Sequence, residues 1–236
     1  MNNLEHKIAI ISGASSGIGL AITQAMLAQQ CRVIGIARDF SRVPIDSPLF
    51  EAHEQDLGKL QDSANLIKAL CKKYPIDFYI HSAGAGLFGS IEQFSVRQID
   101  DYIKSNLTAA LMMAHFVTPV MRQKKSGRMI FIGSESALDA GKKGTLYSAA
   151  KFGLRGFTQA LREDCGKDGI GVSLINPGMV RTPFFDQLGF APGDDPSNYI
   201  EAEDIAAAVL HILHSNPQIV FDEINLSPRN KSIVFK

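Results

Sequence analysis

Apolar positions along the chain fall into two alternating rhythms. Short unbroken aliphatic runs of strand length end at Ser12, at Ala37, near Gln55, at Ile80, at Ser134 and at Ile175. Between them, apolar residues return every three or four positions: Ile18, Ala21, Ile22, Ala25 and Met26, then Leu60, Ala64, Ile67, Leu70 and Cys71, and later Phe152, Leu154, Phe157, Ala160 and Leu161. Residues 96–124 carry the same period through Ile99, Tyr102, Ile103, Leu107, Ala110, Leu111, Ala114, Val117 and Met121, with Pro119 expected to kink or end the regular part. Glu203, Ile205, Ala206, Val209, Leu210 and Leu213 predict a last helix, after which residues 219–224 lead into a short tail. Residues 39–49, with Pro44 and Pro48, read as a surface loop, and 183–199 shows no clear period. Alternation of this kind predicts an α/β fold with a doubly wound parallel sheet, whose strands are buried on both faces.

Composition narrows the picture. With 236 residues the chain suits a single domain spanning 1–236, without room for a separate substrate domain. Lys plus Arg and Asp plus Glu are equal at 24 each, so no surplus of positive charge points to nucleic acid or an anionic membrane, and the expected partner is a small molecule. Cys31, Cys71 and Cys165 are odd in number and far apart, which speaks against a disulfide framework or a metal site. No basic-then-apolar leader opens the sequence and no apolar run reaches membrane-spanning length, so the expected location is cytoplasmic.

Candidate chemistry gathers where strands end. Between the first strand and first helix lie Gly13, Ala14, Ser15, Ser16, Gly17, Ile18 and Gly19. Gly13 permits a sharp turn, Gly17 lets a bound group come close to the backbone, and Gly19 lets the helix lie against the strand. Free N–H groups and the positive dipole end favour a pyrophosphate there, although the glycines alone also fit an ordinary turn. The second strand ends in Ala37, which is not acidic, and Arg38 follows; a guanidinium suits a ribose 2′-phosphate, against the alternative of a solvated pair with Asp39. Asn106 interrupts an apolar helix face and needs partners, in a structural network or in a site. Tyr147 and Lys151, four apart, share one helical face, where the ammonium would lower the pKa of the phenol. His81 at a strand end is expected to be a hydrogen-bonded core residue.

The loop Gly13-x-x-x-Gly17-x-Gly19 resembles the T-G-x-x-x-G-x-G loop of the short-chain dehydrogenase/reductase family, with Ser12 in place of Thr. Further matches follow in the family's order. Ala83-Gly84 match the end of its N-N-A-G segment while His81 and Ser82 depart from it, Asn106 lies in a segment like the one that supplies the family's catalytic Asn, and Gly133 replaces the first Ser of N-I-S-S while Ser134 keeps the second. Tyr147-x-x-x-Lys151 and Pro177-Gly178-x-Val180-x-Thr182 complete the set.

This resemblance implies a Rossmann-type sheet of about seven strands and a hydride transfer between nicotinamide and a carbonyl or alcohol substrate, with NADP(H) favoured over NAD(H) and reduction the favoured direction. It implies Tyr147 as proton donor, Ser134 as a hydrogen-bond donor to the substrate oxygen, with Ser136 the competing hydroxyl. Lys151 would hold the nicotinamide ribose, and Asn106 a proton path. Gly13, Ser15, Ser16, Gly17, Ile18, Gly19, Arg38, Asp56, Leu57, Ala83, Gly84, Pro177, Gly178, Val180 and Thr182 join Asn106, Tyr147 and Lys151 as cofactor-binding candidates. Asp56 would hold the adenine amino group, its alternative being a cap on the helix near Lys59. From its own residues, Phe184, Phe185, Leu188 and Phe190 among them, the 183–200 segment reads as a mobile flap over a partly apolar substrate, the alternative being a packed surface loop. A homodimer or homotetramer is also implied, packed through Ala149, Ala150 and Gly153. A nucleotide-sensing protein on the same fold, with little turnover, is the alternative function.

Overall fold

The structure is a computed structural model that describes residues 3–41, 43 and 45–236. Pro44 of the expected surface loop, and Met1 and Asn2 ahead of the first strand, lie outside the described residues. The aliphatic runs form β1 (Ile8–Ser12), β2 (Arg32–Ala37), β3 (Phe50–Glu54), β4 (Phe78–His81), β5 (Gly127–Ile132) and β6 (Ile170–Pro177). Two short strands, β7 (Phe190–Pro192) and β9 (Ile233–Phe235), flank β8 (Glu223–Leu226) in sequence. The periodic segments form α1 (Gly17–Ala28), α2 (Leu60–Lys73), α3 (Val96–Ile103), α4 (Ala109–Lys124), α5 (Thr145–Cys165) and α6 (Ala202–His214).

Seven parallel strands lie in the order β3-β2-β1-β4-β5-β6-β8. The chain winds outward from β1 to β3 and then returns to place β4 on the other side of β1, which makes the β1–β4 boundary the point where the winding reverses. In sheets of this kind ligands bind beyond the carboxyl ends of the strands at that reversal. The register there brings Ser12 beside both Ile36 and His81. Both faces are covered. Ala21, Ile22 and Met26 of α1 share one core with Ile205 and Val209 of α6, while Ile67, Met113, Val117 and Leu154 bring α2, α4 and α5 into the other. With apolar packing above and below, the central strands have no solvent face to alternate toward, which accounts for their continuous runs.

Several local expectations are corrected. The last sheet strand is Glu223–Leu226; ahead of it, the Arg128 guanidinium donates to the carbonyls of Ile219 (3.1 Å) and Asn216 (2.9 Å) and ties that stretch down as a loop. The segment 96–124 breaks at a π-helical turn, Lys104–Thr108, whereas α4 runs on through Pro119 to Lys124. Within 183–200, Pro183–Phe185 and Pro196–Asn198 form 3₁₀ turns, and β7 between them pairs antiparallel with β9 of the tail. Ala150 is buried within the chain and Gly153 faces Leu107, so of the three small residues expected to pack against a second copy only Ala149 is exposed.

Cys31 and Cys165 are buried, Cys71 is half-buried, and all three are free thiols. Burial pushes Cys31 up to about 12 and Cys71 up to about 11, and raises Cys165 as well. No helix among the described residues is long and apolar enough to cross a membrane.

Candidate active site

The glycine loop turns because two positions admit nothing larger. Gly13 has a φ of +72°, a backbone conformation that side chains resist, and a Cβ there would lie 2.9 Å from the Ala83 nitrogen. Gly19 sits so close under the turn that a Cβ would meet the Gly13 carbonyl at 2.1 Å. Helix α1 therefore starts directly against β1. Its first turn holds no acidic residue, and Ser16, in extended conformation, makes no side-chain cap. The N–H groups of that turn are left to a ligand, and the dipole there favours an anion. Ser15 and Ser16 belong to the turn itself and Ile18 to the first turn of α1, while Gly17 faces Thr182, whose Cβ would lie 3.1 Å from an added methyl. Two candidate segments far apart in sequence thus meet around one space.

The departure at His81 is compensated by a buried hydroxyl cluster. Ser12 Oγ accepts hydrogen bonds from the Ser82 and Ala83 nitrogens, both at 3.2 Å. His81 Nδ1 lies within hydrogen-bond distance of both the Ser12 hydroxyl (3.0 Å) and the Tyr79 hydroxyl (2.7 Å). The other ring nitrogen, Nε2, is buried and has no hydrogen-bond partner among the described residues. Burial, reinforced by the Lys151 ammonium, pushes the imidazole down to about 3, so His81 is neutral. Ser12 thereby anchors the backbone at Ser82 and Ala83, just ahead of Gly84.

Asn106 lies on the π-helical turn, a rare feature that favours functional positions. Its Oδ1 accepts from the Ala85 nitrogen at 2.7 Å, and its Nδ2 donates to the Tyr102 carbonyl (3.0 Å) and to Ser105 Oγ (2.9 Å). Tyr102 in turn donates its hydroxyl proton to the Ala85 carbonyl at 2.8 Å. A Cβ on Gly84 would lie 3.2 Å from Asn106 Oδ1 and 3.9 Å from Lys151 Nζ. Gly84 thus marks a cradle with Asn106 on one side and Lys151 on the other.

Ser134, Tyr147 and Lys151 come together beyond β5, all buried. Ser134 follows the strand in extended conformation and accepts from the Ser136 nitrogen at 3.1 Å, capping the 3₁₀ turn Glu135–Ala137. Its position is set by Asn176, whose Oδ1 accepts from the Ser134 nitrogen (3.3 Å) and whose Nδ2 donates to Asn225 (2.9 Å). The same Asn176 explains Gly133, since any Cβ there would lie 2.2 Å from its Oδ1. Asn176 went unassigned in the sequence although it stands beside Pro177; its signal was the unexplained glycine opposite.

The charge balance of the pair differs from expectation. Lys151 Nζ lies 5.8 Å from the Tyr147 ring centre, but it donates to the Ile132 carbonyl at 2.9 Å. Burial pushes the phenol up to about 12, with a hydrogen bond from Ser134 pulling the other way, and burial pushes the ammonium down to about 8. Desolvation outweighs the nearby cation. At neutral pH the phenol holds its proton.

The remaining candidates stand apart from this centre. Arg38 is exposed at the end of β2, on a recess shared with Glu54, Gln55, Asp56, Lys59 and Asp62. Asp56 Oδ1 accepts from the Gly58 nitrogen at 2.9 Å, bending the chain ahead of α2, while Leu57 is buried. At the end of β6, the Gly178 nitrogen donates to the Leu226 carbonyl at 2.7 Å, and Val180 is buried and bridged to Ile200. Thr182 accepts from the Phe184 nitrogen and opens the next turn. Over Tyr147 stand Phe88, with ring centres 5.1 Å apart, and Phe184, at 6.0 Å. No cluster of metal-ligating side chains occurs among the described residues.

Comparison with known proteins follows this geometry. Residues 7–190 match the family described as short chain dehydrogenase. An uncharacterized oxidoreductase of Staphylococcus saprophyticus is 30% identical over 97% of this chain and 100% of its own, and one of Staphylococcus aureus is 31% identical with the same coverage. Among solved structures, an alcohol dehydrogenase from the archaeon Thermococcus sibiricus, complexed with 5-hydroxy-NADP, superposes with a TM-score of 0.86 at 22% identity, covering 97% of this chain and 99% of that one.

Proposed function

Because the chain belongs to the short-chain dehydrogenase family, oxidoreductases that act on CH–OH and C=O groups, we propose that it transfers a hydride between NADP(H) and a small, partly apolar ketone or aldehyde, chiefly in the direction of reduction. The observation that carries this reading is the buried meeting of Tyr147, Ser134 and Lys151 beside the Gly84 cradle. The loops fit a dinucleotide: a Cβ at Gly13 or Gly19 would close the turn, and the first turn of α1 is without acid or side-chain cap. The Gly13–Gly19 turn would take the pyrophosphate, Ala83, Gly84, Pro177, Gly178, Val180 and Thr182 would border the nicotinamide half, and Arg38 would meet the 2′-phosphate beside Asp56 and Leu57.

Bound there, the cofactor supplies or accepts the hydride. The chain's own part is the proton. A carbonyl carbon that receives hydride leaves charge on its oxygen, and Tyr147, protonated at neutral pH, gives that oxygen its proton while the Ser134 hydroxyl donates a hydrogen bond to it. Lys151 holds the ribose hydroxyls and, with water ordered at Asn106, returns a proton to the phenol. The protonated phenol and Arg38 both support reduction as the working direction.

Loss of NADPH absorbance across a panel of ketones and aldehydes tests the activity. Turnover of at least one supports it, and binding of NADPH without oxidation across the panel refutes it in favour of a nucleotide sensor. We also propose a homodimer or homotetramer in the cytoplasm. Supporting it, the outward groove between α4 and α5 is lined by Leu111, His115, Pro119 and Phe157, near exposed Phe152. Sedimentation as a monomer would refute the assembly.

A further inference from the structure

We propose that the carboxyl-terminal strand β9 is a specificity element: by pairing with β7 it holds Phe190, and through Phe190 the ring of Phe88, against Tyr147, and so limits the size of the carbonyl compound that reaches the phenol. The proposal rests on Tyr147 being the proton donor.

The connection is continuous. Phe190 stands opposite Phe235, Ala191 opposite Val234 and Pro192 opposite Ile233. Beyond the paired residues, the Lys236 nitrogen donates to the Gly189 carbonyl (3.0 Å), Lys236 Nζ donates to the Phe185 carbonyl (2.8 Å) and the Gly193 nitrogen donates to the Ser232 carbonyl (3.1 Å). The Phe190 ring meets Phe88 edge-on at 5.0 Å and Phe185 at 5.8 Å, and Phe88 lies 5.1 Å from Tyr147 at a tilt of 35°. Two rings separate the tail from the phenol. On the opposite rim, Lys231 Nζ donates to Glu135 Oε2 at 2.7 Å, next to Ser134. The tail is therefore tied both to the segment that carries Phe190 and to Glu135 beside Ser134.

What holds it is main chain and Lys236 rather than apolar burial. All three residues of β9 are exposed, Ile233 by 52%, Val234 by 50% and Phe235 by 80%. A two-stranded ribbon of three residues a side is marginal alone, so this element opens at far lower cost than the seven-stranded sheet, to which β9 does not belong. The wall it braces is aromatic. A compact or flat apolar carbonyl compound fits between such rings, and a bulky one needs the ribbon displaced.

The test uses a chain ending at Ser232 and, with the tail intact, the Phe190→Ala variant. Methyl ketones graded from acetone to 2-octanone, and from acetophenone to 2-acetylnaphthalene, serve as probes with NADPH. In both variants the ratio of kcat/KM for 2-acetylnaphthalene over that for acetone is expected to rise about tenfold, with NADPH affinity unchanged within about twofold. Amide exchange over 86–90 and 184–193 is expected to quicken in the shortened chain while 8–19 stays protected. An unchanged ketone ranking, or unchanged exchange over 86–90, overturns the proposal. If no form reduces any ketone, the functional reading fails, and the exchange measurement alone decides whether the tail braces the Phe88 segment. Should the shortened chain not fold, Phe190→Ala and Lys236→Ala carry the same measurements.

Discussion

The proposed nucleotide side of the site hangs on the middle of the sheet, whereas the proposed substrate side hangs on two chain segments that meet outside it. On the first side Ser12 and His81 join neighbouring strand ends through a buried hydrogen bond, Asn106 holds the Ala85 nitrogen, and glycines stand where no methyl fits. On the second, a three-residue ribbon and four phenylalanine rings enclose the approach to Tyr147. Groups held by the buried centre of a fold cannot shift without disturbing it, while loops on its margin change at little cost to stability. One half is suited to a fixed ligand and the other to an interchangeable one.

Substitutions can break this contrast in order of severity. Tyr147→Phe stands where the two halves meet and should lower kcat for ketone reduction about a thousandfold, with NADPH affinity within about twofold of the parent in a fluorescence titration. Equal turnover would remove the phenol from the mechanism. Gly19→Ala attacks the rigid half, where the new methyl would lie 2.1 Å from a carbonyl oxygen. NADPH binding should weaken about a hundredfold and the thermal midpoint should fall, whereas a comparable methyl in the flap should do neither. Arg38→Ala should weaken NADPH about tenfold in the same titration and leave NADH nearly unaffected; equal losses would refute the phosphate preference.

The smallest effect concerns acid. His81 is held neutral with its pKa down at about 3, so as pH falls from about 6.5 toward 3 the unfolded chain takes up a proton that the folded chain refuses. The stability contributed by the neutral ring is present above pH 6.5 and is lost through that window. Acid unfolding followed by circular dichroism should show His81→Asn losing less stability than the parent between pH 6 and 4, with a midpoint about one pH unit lower. Parallel acid profiles would mean that the ring is not neutral in the folded state.

Much of the rigid half was legible in the sequence for a simple reason. Strands covered on both faces become unbroken aliphatic runs, helices beside them acquire a periodic face, and the Gly13–Gly19 spacing is imposed by contacts within one short segment. What escaped notice depends on distant partners. Residues 104–108 support an α-helical period as well as a π-helical turn, and only Asn106 reaching Ala85 distinguishes them. The β7–β9 ribbon joins two three-residue strands some forty positions apart, β7 half-buried and β9 exposed, so neither has a pattern of its own. Tyr147 was expected to be acidified by Lys151, yet the ammonium is committed to the Ile132 carbonyl and the surrounding burial dominates.

The three cysteines carry a practical corollary. Alkylation and disulfide exchange proceed through thiolate, and each sulfur here is driven toward its protonated, inert form by its surroundings. The native chain should therefore tolerate air and maleimide reagents. A single cysteine engineered onto the outward side of the tail, at Ile233 for instance, would take a fluorophore or spin label ahead of the native three, without any need to delete them first.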